Sequence, residues 1–338
     1  MKVAVLGAGA WGTALAQVLC ENGHDTSLWT WQADHAARMK QTRENEFLPG
    51  VRLFDQVQVS SELEHALDQA EIVTVVVPSS AVRQTIALAA GYLRAETRVV
   101  CATKGIEQAT LQLMSEVVED ELARTMRSPI LPIGALSGPS FAREVGQRLP
   151  TNLVAASKDP ELALLMQRVY STPWLRVYTS DDPIGVEIGG ALKNVIAIAA
   201  GACDGLGLGE NTRAALITRG IAEMARLVRR KQGSVLTLAG LAGMGDLVLT
   251  CTGSMSRNRT LGYKIGSGMS VAAALSSSDG VAEGYITAKS AHDLALSLGV
   301  ELPICKAVHS VLYEGKSASD ALADLLSRPL RSEWEDER

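Results

Sequence analysis

Aromatic residues are scarce. Three Phe, six Tyr and five Trp make up 4% of a chain of 338 residues, too few to build a base-stacking surface for nucleic acid. Positive charge is not in excess either: 32 Lys and Arg stand against 37 Asp and Glu, for a net charge of -5. Bulk charge therefore holds no polyanion, although a local cluster can still bind a small anion. The five cysteines, Cys20, Cys101, Cys203, Cys251 and Cys305, form no C-x-x-C pair and are odd in number. That suits thiols in a reducing compartment better than a disulfide framework. The five histidines include no H-x-x-x-H spacing, so a zinc site has no support and no metal is expected. No unbroken run of about 18 apolar residues offers a membrane span. Lys2 and the apolar run before Cys20 mimic an export signal, but Gly7, Gly9 and Gly12 interrupt the run and Leu19 is too large for a usual cleavage site. A cytoplasmic protein is expected.

What is present is a chain 47% hydrophobic and 20% charged, with 30 glycines, which excludes a disordered or collagen-like polymer. At roughly 150 residues per domain the length suits two domains. In the first part, short apolar runs alternate with helical patterns. Strands are expected at Lys2–Leu6, Thr26–Trp29, Gln56–Ser60, Ile72–Val77, Arg98–Cys101, Ile133–Leu136, Asn152–Ala156 and Leu175–Tyr178. Helices are expected at Thr13–Asn22, Glu62–Gln69, Ala81–Leu93, Leu111–Arg124 and Pro160–Tyr170. Continuous apolar strands of this kind predict a mostly parallel sheet covered on both faces. The pattern changes near Ser180–Pro183, where Asp181 or Asp182 can cap a helix that begins at Pro183. Beyond it only helical patterns follow, led by Val186–Ala202 and Asn211–Lys231. The expected organisation is a doubly wound α/β domain over 1–181, an all-helical domain over 182–330 and a charged tail over 331–338.

Gly7-Ala8-Gly9-Ala10-Trp11-Gly12 is a G-x-G-x-x-G stretch that directly follows a strand and opens a helix. In that context it signals a dinucleotide site. Gly7 permits the turn, Gly9 lets the backbone approach a pyrophosphate, and Gly12 lets helix and strand pack closely. The helix start offers N–H groups to the phosphates. The second strand ends in Trp29-Thr30-Trp31-Gln32, without the acid that usually bonds the ribose hydroxyls of NAD. Arg38, Lys40 and Arg43 follow. A missing acid and nearby cations suit a 2′-phosphate, so both NADP(H) and NAD(H) are expected, with NADP(H) ahead by less than about a hundredfold.

In the helical part, Lys193 lies within Gly189-Gly190-Ala191-Leu192-Lys193-Asn194-Val195-Ile196. An ammonium there is costly unless paired. Gly189 and Gly190 clear a groove over the turn toward which the lysine stem points, a place for a small substrate. Partial desolvation would lower the Lys193 pKa toward the range useful for proton transfer. Asp246, in an apolar Gly-rich loop, is either a partner for Lys193 or a group for a substrate hydroxyl. Ser254-Met255-Ser256-Arg257-Asn258-Arg259 opens a helix with hydroxyls, an amide and two guanidiniums, the makings of an anion site. Thr103-Lys104-Gly105 and Ser137-Gly138-Pro139-Ser140 follow first-domain strands, where α/β sheets bind their ligands.

Together, Gly7–Ala16, Ala102–Glu107, Leu136–Val145, Glu187–Gly209, Gly240–Gly262 and Val281–Thr287 resemble the NAD(P)-dependent glycerol-3-phosphate dehydrogenases of bacterial type. Leu241-Ala242-Gly243-Met244-Gly245-Asp246-Leu247 and Ser256-Arg257-Asn258-Arg259 carry that resemblance most specifically. It implies a Rossmann domain followed by a helical domain like the C-terminal part of 6-phosphogluconate dehydrogenase. It also implies reversible reduction of dihydroxyacetone phosphate, glycerol 3-phosphate supply to phospholipid synthesis, and a homodimer. By the same resemblance Lys193 is the proton donor and acceptor, with Asp246 beside it. Lys104, Gly138, Ser140, Lys193, Asp246, Ser256, Arg257 and Asn258 surround a small phosphorylated triose. Gly7, Gly9, Ala10, Trp11, Gly12, Trp31, Lys104, Ala142, Arg257, Val281 and Glu283 meet the dinucleotide. Ala10 stands where many members have Ser, and Trp31 where a His or Arg is common. Two competing functions share the residue pattern: a β-hydroxyacid dehydrogenase or ketopantoate reductase acting on a carboxylate, and a non-catalytic dinucleotide sensor.

Overall fold

The computed structural model describes residues 1–125, 131–277, 282–330 and 332–333. Of the expected tail, residues 331 and 334–338 lie outside the described residues. The chain divides into two compact units, one of Met1–Lys104 with Gln112–Glu187, the other of Gly105–Leu111 with Ile188–Arg338.

The first unit runs β1 (Lys2–Leu6), α1 (Ala10–Glu21), β2 (Asp25–Trp29), α2 (Ala33–Thr42), β3 (Gln58–Ser60), α3 (Leu63–Leu67), β4 (Ile72–Val75), α4 (Val82–Ala89), β5 (Arg98–Cys101), α5 (Met114–Thr125), β6 (Ile133–Ser137), α6 (Ala142–Gly146), β7 (Thr151–Ala156), α7 (Pro160–Tyr170) and β8 (Leu175–Ser180). Its eight strands lie in the order β3-β2-β1-β4-β5-β6-β7-β8. All neighbours are parallel except β6 and β7, which are antiparallel. Alternation explains why the strands read as unbroken apolar runs. Val3 and Val5 of β1 face one core with Leu15 and Leu19 of α1. Ala4 and Leu6, between them, face a second core with Val82, Ile86 and Val117. Both faces are covered, so neither position can be polar. The chain leaves β1 outward through β2 and β3 and returns to β4, which places the switch in strand order beside the loop after β1.

Two helices absent from the sequence pattern are α2 and α6. In α2 only His35, Ala36 and Met39 are buried, too narrow a stripe for periodicity to reveal. With five residues, α6 is barely longer than a turn. The antiparallel β6–β7 pair was equally illegible, because strand direction leaves no mark on composition.

The second unit contains most of α8 (Pro183–Gly205), then α9 (Glu210–Arg230), a 3-10 turn Val235–Ala239, a π-helical turn Leu241–Gly245, α10 (Asp246–Thr252), α11 (Arg257–Gly266), α12 (Val271–Ser276), α13 (Glu283–Leu298), α14 (Pro303–Tyr313) and α15 (Ala318–Leu326). Of the two candidate caps for α8, Asp182 is the one used: its Oδ1 accepts from Gly185 N at 3.0 Å. By length and apolarity α8 could cross a membrane, but 89% of its apolar window is buried inside the protein. It is a core helix, apolar on all sides because protein surrounds it.

Glycines let α11 lie backbone to backbone along α8. A Cβ on Gly262 would stand 1.9 Å from Ile198 O, and one on Gly201 1.9 Å from Arg259 O. Gly266 and Gly205 repeat the contact one turn on, against Ala202 O and Tyr263 O. The pairings 198 with 262 and 202 with 266 make the two helices parallel, so the start of α11 falls beside Lys193 and Asn194 of α8.

Glu223 of α9 caps α14, accepting from Ile304 N at 2.5 Å and Cys305 N at 3.1 Å. Burial pushes its carboxyl up to about 7, against the pull of those two amides. A folded-state pKa above the unfolded one means that the native state binds the proton more tightly. The resulting stability is full below about pH 4.5 and is lost as pH rises through about 7. Between pH 5 and 8 the native protein should therefore lose on the order of 2–3 kcal/mol relative to Glu223→Gln, which keeps an acceptor and cannot titrate. Urea denaturation of both at pH 5, 6.5 and 8 measures this, and parallel profiles would show that Glu223 does not titrate there.

Candidate active site

The three glycines of the loop after β1 serve two different purposes. Gly7 has φ +121°, and a Cβ there would lie 2.5 Å from Val76 O. A Cβ on Gly12 would lie 1.8 Å from Gly7 O. The fold itself demands these two. Gly9, by contrast, has nothing within 4 Å of its would-be Cβ. It is the N-cap of α1 and supplies no side-chain cap, so Ala10, Trp11 and Gly12 open a helix toward free space. A helix start kept bare where a Cβ would fit is a cradle suited to a pyrophosphate.

A buried polar chain holds this loop against the end of β2. Asn45 Nδ2 donates to Ala8 O at 2.9 Å and to Thr13 Oγ1 at 2.6 Å. Its Oδ1 lies 3.2 Å from His35 Nε2, and His35 Nδ1 lies 3.4 Å from Thr30 Oγ1. Since Asn45 Oδ1 also accepts from Phe47 N, the proton on His35 Nε2 satisfies every partner. Trp31, 75% exposed, stands two residues beyond the end of β2. Phe47, also exposed, stands edge-on to His35. Of the three cations expected near a 2′-phosphate, Arg43 is turned inward to Phe54 O and Val57 O. Arg38 pairs with Glu46 at 2.5 Å. That corrects the expectation for Arg43, which backbone carbonyls consume.

Elsewhere in the first unit, Gly138 (φ +136°) turns the chain after β6. Its carbonyl accepts from Lys104 Nζ at 3.3 Å and from Ser140 Oγ at 3.2 Å. These three predicted substrate residues therefore cluster. Ala142 begins α6, which packs on α1.

In the second unit, Lys193 Nζ donates to Asp246 Oδ1 at 2.6 Å and to Thr250 Oγ1 at 3.0 Å. Lys193 is 8% exposed and Asp246 1%. Thr250 Oγ1 donates in turn to Asp246 O at 2.6 Å, so its lone pair faces the ammonium. Asp246 is not in a loop. It begins α10, straight after the π-helical turn. The groove expected at Gly189 is also filled by the chain itself: a Cβ there would lie 2.5 Å from Ala242 O. That close approach brings the start of α10, and with it Asp246, to the lysine one turn along α8. Burial pushes the adjacent Cys251 thiol up to about 12, with Lys193 pulling the other way, so it stays an inert thiol.

Ser256 caps α11, accepting from Arg259 N at 3.2 Å. Asn258 Nδ2 donates to Asn194 Oδ1 at 2.9 Å, and its Oδ1 accepts from Gly284 N at 3.0 Å. Arg257, the first residue of the helix, is exposed and has no partner among the described residues. Arg259 is not its companion at an anion site. Its guanidinium grips Asp204 Oδ2 at 2.9 and 2.7 Å through Nε and NH2. Glu283 begins α13, beside Gly284. Val281 lies outside the described residues.

Residues 2–163 match the N-terminal part of the NAD-dependent glycerol-3-phosphate dehydrogenases, and residues 182–323 match the C-terminal part. The chain belongs to this family. It is 50% identical over 337 residues to glycerol-3-phosphate dehydrogenase [NAD(P)+] of Geobacter sulfurreducens, covering 98% of each chain. The counterpart of Myxococcus xanthus is 47% identical over 334 residues, with 98% and 99% covered. The crystal structure of glycerol-3-phosphate dehydrogenase from Coxiella burnetii superposes with a TM-score of 0.92 at 39% identity, covering 97% of this chain and 99% of that one. A ketopantoate reductase from Ralstonia eutropha, at 16% identity and a TM-score of 0.61, shares the fold alone.

Within this family member, sequence reasoning missed Thr250, Asn194 and the Asn45–His35 chain. Thr250 had one available signal: it stands four residues after Asp246, on the same face of any helix that begins there. Asn45 and His35 had none, because only the folded loop makes their burial visible.

Proposed function

We propose that the protein interconverts dihydroxyacetone phosphate and sn-glycerol 3-phosphate, using NADP(H) or NAD(H), and supplies glycerol 3-phosphate for phospholipid synthesis. On this proposal it works in the cytoplasm as a homodimer. The observation that carries the activity is a buried lysine paired with Asp246 and Thr250, near a helix start that presents an arginine with no partner among the described residues.

The bare start of α1 and the space at Gly9 suit a dinucleotide pyrophosphate. When bound, the cofactor would supply a hydride to the carbonyl carbon of the ketone or accept one from the carbinol carbon of the alcohol. All other work falls to the chain. Arg257 and the amides opening α11 hold the substrate phosphate. Lys193 gives its Nζ proton to the ketone oxygen as negative charge develops there, and takes it back in oxidation. Asp246 holds the ammonium in place through its 2.6 Å contact. Thr250 fixes its direction. Asn258 keeps the start of α11 aligned with α8.

The test follows NADPH absorbance with dihydroxyacetone phosphate, ketopantoate and a short β-keto acid. Turnover confined to the triose phosphate is expected. Turnover of a carboxylate substrate alone would assign a different dehydrogenase, and no turnover with either cofactor would leave a dinucleotide sensor.

Cofactor choice follows from the end of β2. No carboxylate there repels a 2′-phosphate, yet Arg43 is consumed and Arg38 already paired. Exposed contacts of this kind contribute up to about 1 kcal/mol each, so NADP(H) should lead NAD(H) by less than about tenfold. Trp31→Asp adds a ribose acceptor and a repulsive charge together, and should reverse the preference. Comparing kcat/KM for NADH and NADPH in both proteins decides it. An unchanged ratio in the variant would show that this turn does not select the cofactor.

A further inference from the structure

Asp204 ends α8 with a side chain only 11% exposed, and it engages two arginines at once. Its Oδ1 takes Arg213 of α9 at 2.8 Å, and its Oδ2 takes Arg259 of α11. Charge-assisted contacts of this kind hold geometry as well as energy. They act on the first turn of α11, where Arg257, Asn258 and Arg259 are consecutive. Asn258 is tied to Asn194 and Arg259 to Asp204, both on α8, while Arg257 has no partner among the described residues. Backbone contacts at Gly201, Gly205, Gly262 and Gly266 leave the helix pair little room to slide.

We propose that Asp204 is a positioning residue for the substrate phosphate: it withholds Arg259 from the anion and locks the first turn of α11 to α8, which sets the reach of Arg257. The inference rests on the activity proposed above. It differs in sign from simple electrostatics. Removing a negative charge near an anion site should tighten phosphate binding, whereas losing the lock should weaken it.

Asp204→Asn keeps the shape of the side chain and loosens the lock. KM for dihydroxyacetone phosphate is expected to rise about tenfold, since even small misplacement of a binding group is costly. Turnover of dihydroxyacetone, which has no phosphate for Arg257 to hold, should stay within about threefold of the native value. In an Arg257→Ala background the same substitution should add almost nothing. If Asp204→Asn does not fold, as read by circular dichroism, Arg259→Lys serves instead, keeping the charge but not the two-pronged grip. It should raise the same KM. An unchanged or lowered KM overturns the proposal, as do equal losses on both substrates or an undiminished effect without Arg257. A native protein that reduces neither triose would sink the proposed activity instead. The lock would then be judged by the Kd of inorganic phosphate, measured by calorimetry, which should also rise about tenfold in Asp204→Asn and, if unchanged, overturns it.

Discussion

Lys193→Met is expected to lower kcat with dihydroxyacetone phosphate by about 10³–10⁵, while the Kd for NADPH changes less than about threefold. On the proposed mechanism the ammonium is both the proton donor and a positive charge facing the developing alkoxide, so both contributions vanish together. Met preserves the length of the stem and leaves the packing of α8 largely intact. It also strips the buried Asp246 of its cation, which costs about 3–5 kcal/mol of stability. A second variant separates the two effects. Adding Asp246→Leu removes the stranded carboxylate, so Lys193→Met/Asp246→Leu should recover much of the stability and none of the turnover. Urea denaturation and stopped-flow hydride transfer on both variants measure this. Turnover within about threefold of native in either one would remove Lys193 from the mechanism.

Arg257→Ala should cost about 2–4 kcal/mol of transition-state stabilisation with the phosphate-bearing substrate, or about 30–1000-fold in kcat/KM. The side chain has no protein partner among the described residues, so its removal strands nothing in the free protein. Stability should change by less than about 0.5 kcal/mol. With dihydroxyacetone the loss should be less than about threefold, because on the proposed mechanism the arginine contacts the substrate through its phosphate alone. Competition by inorganic phosphate against the triose phosphate should weaken in parallel. Equal losses on the two substrates would mean that Arg257 serves the cofactor or the fold rather than the phosphate.

The fold was legible where local rules dominate. The first strand and the glycine loop after it needed only apolar patterning and three glycines, and the helix expected over Pro160–Tyr170 forms there, with Asp159 Oδ1 accepting from Glu161 N at 2.9 Å. Legibility failed where local rules conflict. Gly240-Leu241-Ala242-Gly243-Met244-Gly245 reads as a break, since glycine disfavours helix. The segment is nonetheless a π-helical turn leading into α10. The side chain missing at Gly189 is what lets Ala242 O come to rest on α8, and Gly243 packs against Leu238 with no room for a Cβ. Gly243, which argued against a helix, is one that the packing needs, and the close approach at Gly189 brings Asp246 to Lys193.

The sequence by itself determined the kinds of chemistry present: a dinucleotide loop after a strand, a lysine in a helix of small residues, and a helix start rich in arginine and amide groups. These follow from spacing and backbone conformation within a few residues, which is local physics. Only the tertiary structure decided which charges are spent. Arg43 is taken by carbonyls more than ten residues away, Arg259 by a carboxylate 55 residues before it, and Lys193 by one 53 residues beyond it, while Arg257 is taken by none among the described residues. Residue type states that a charge exists. Whether it still has capacity for a ligand depends on partners that only folding brings within hydrogen-bonding distance.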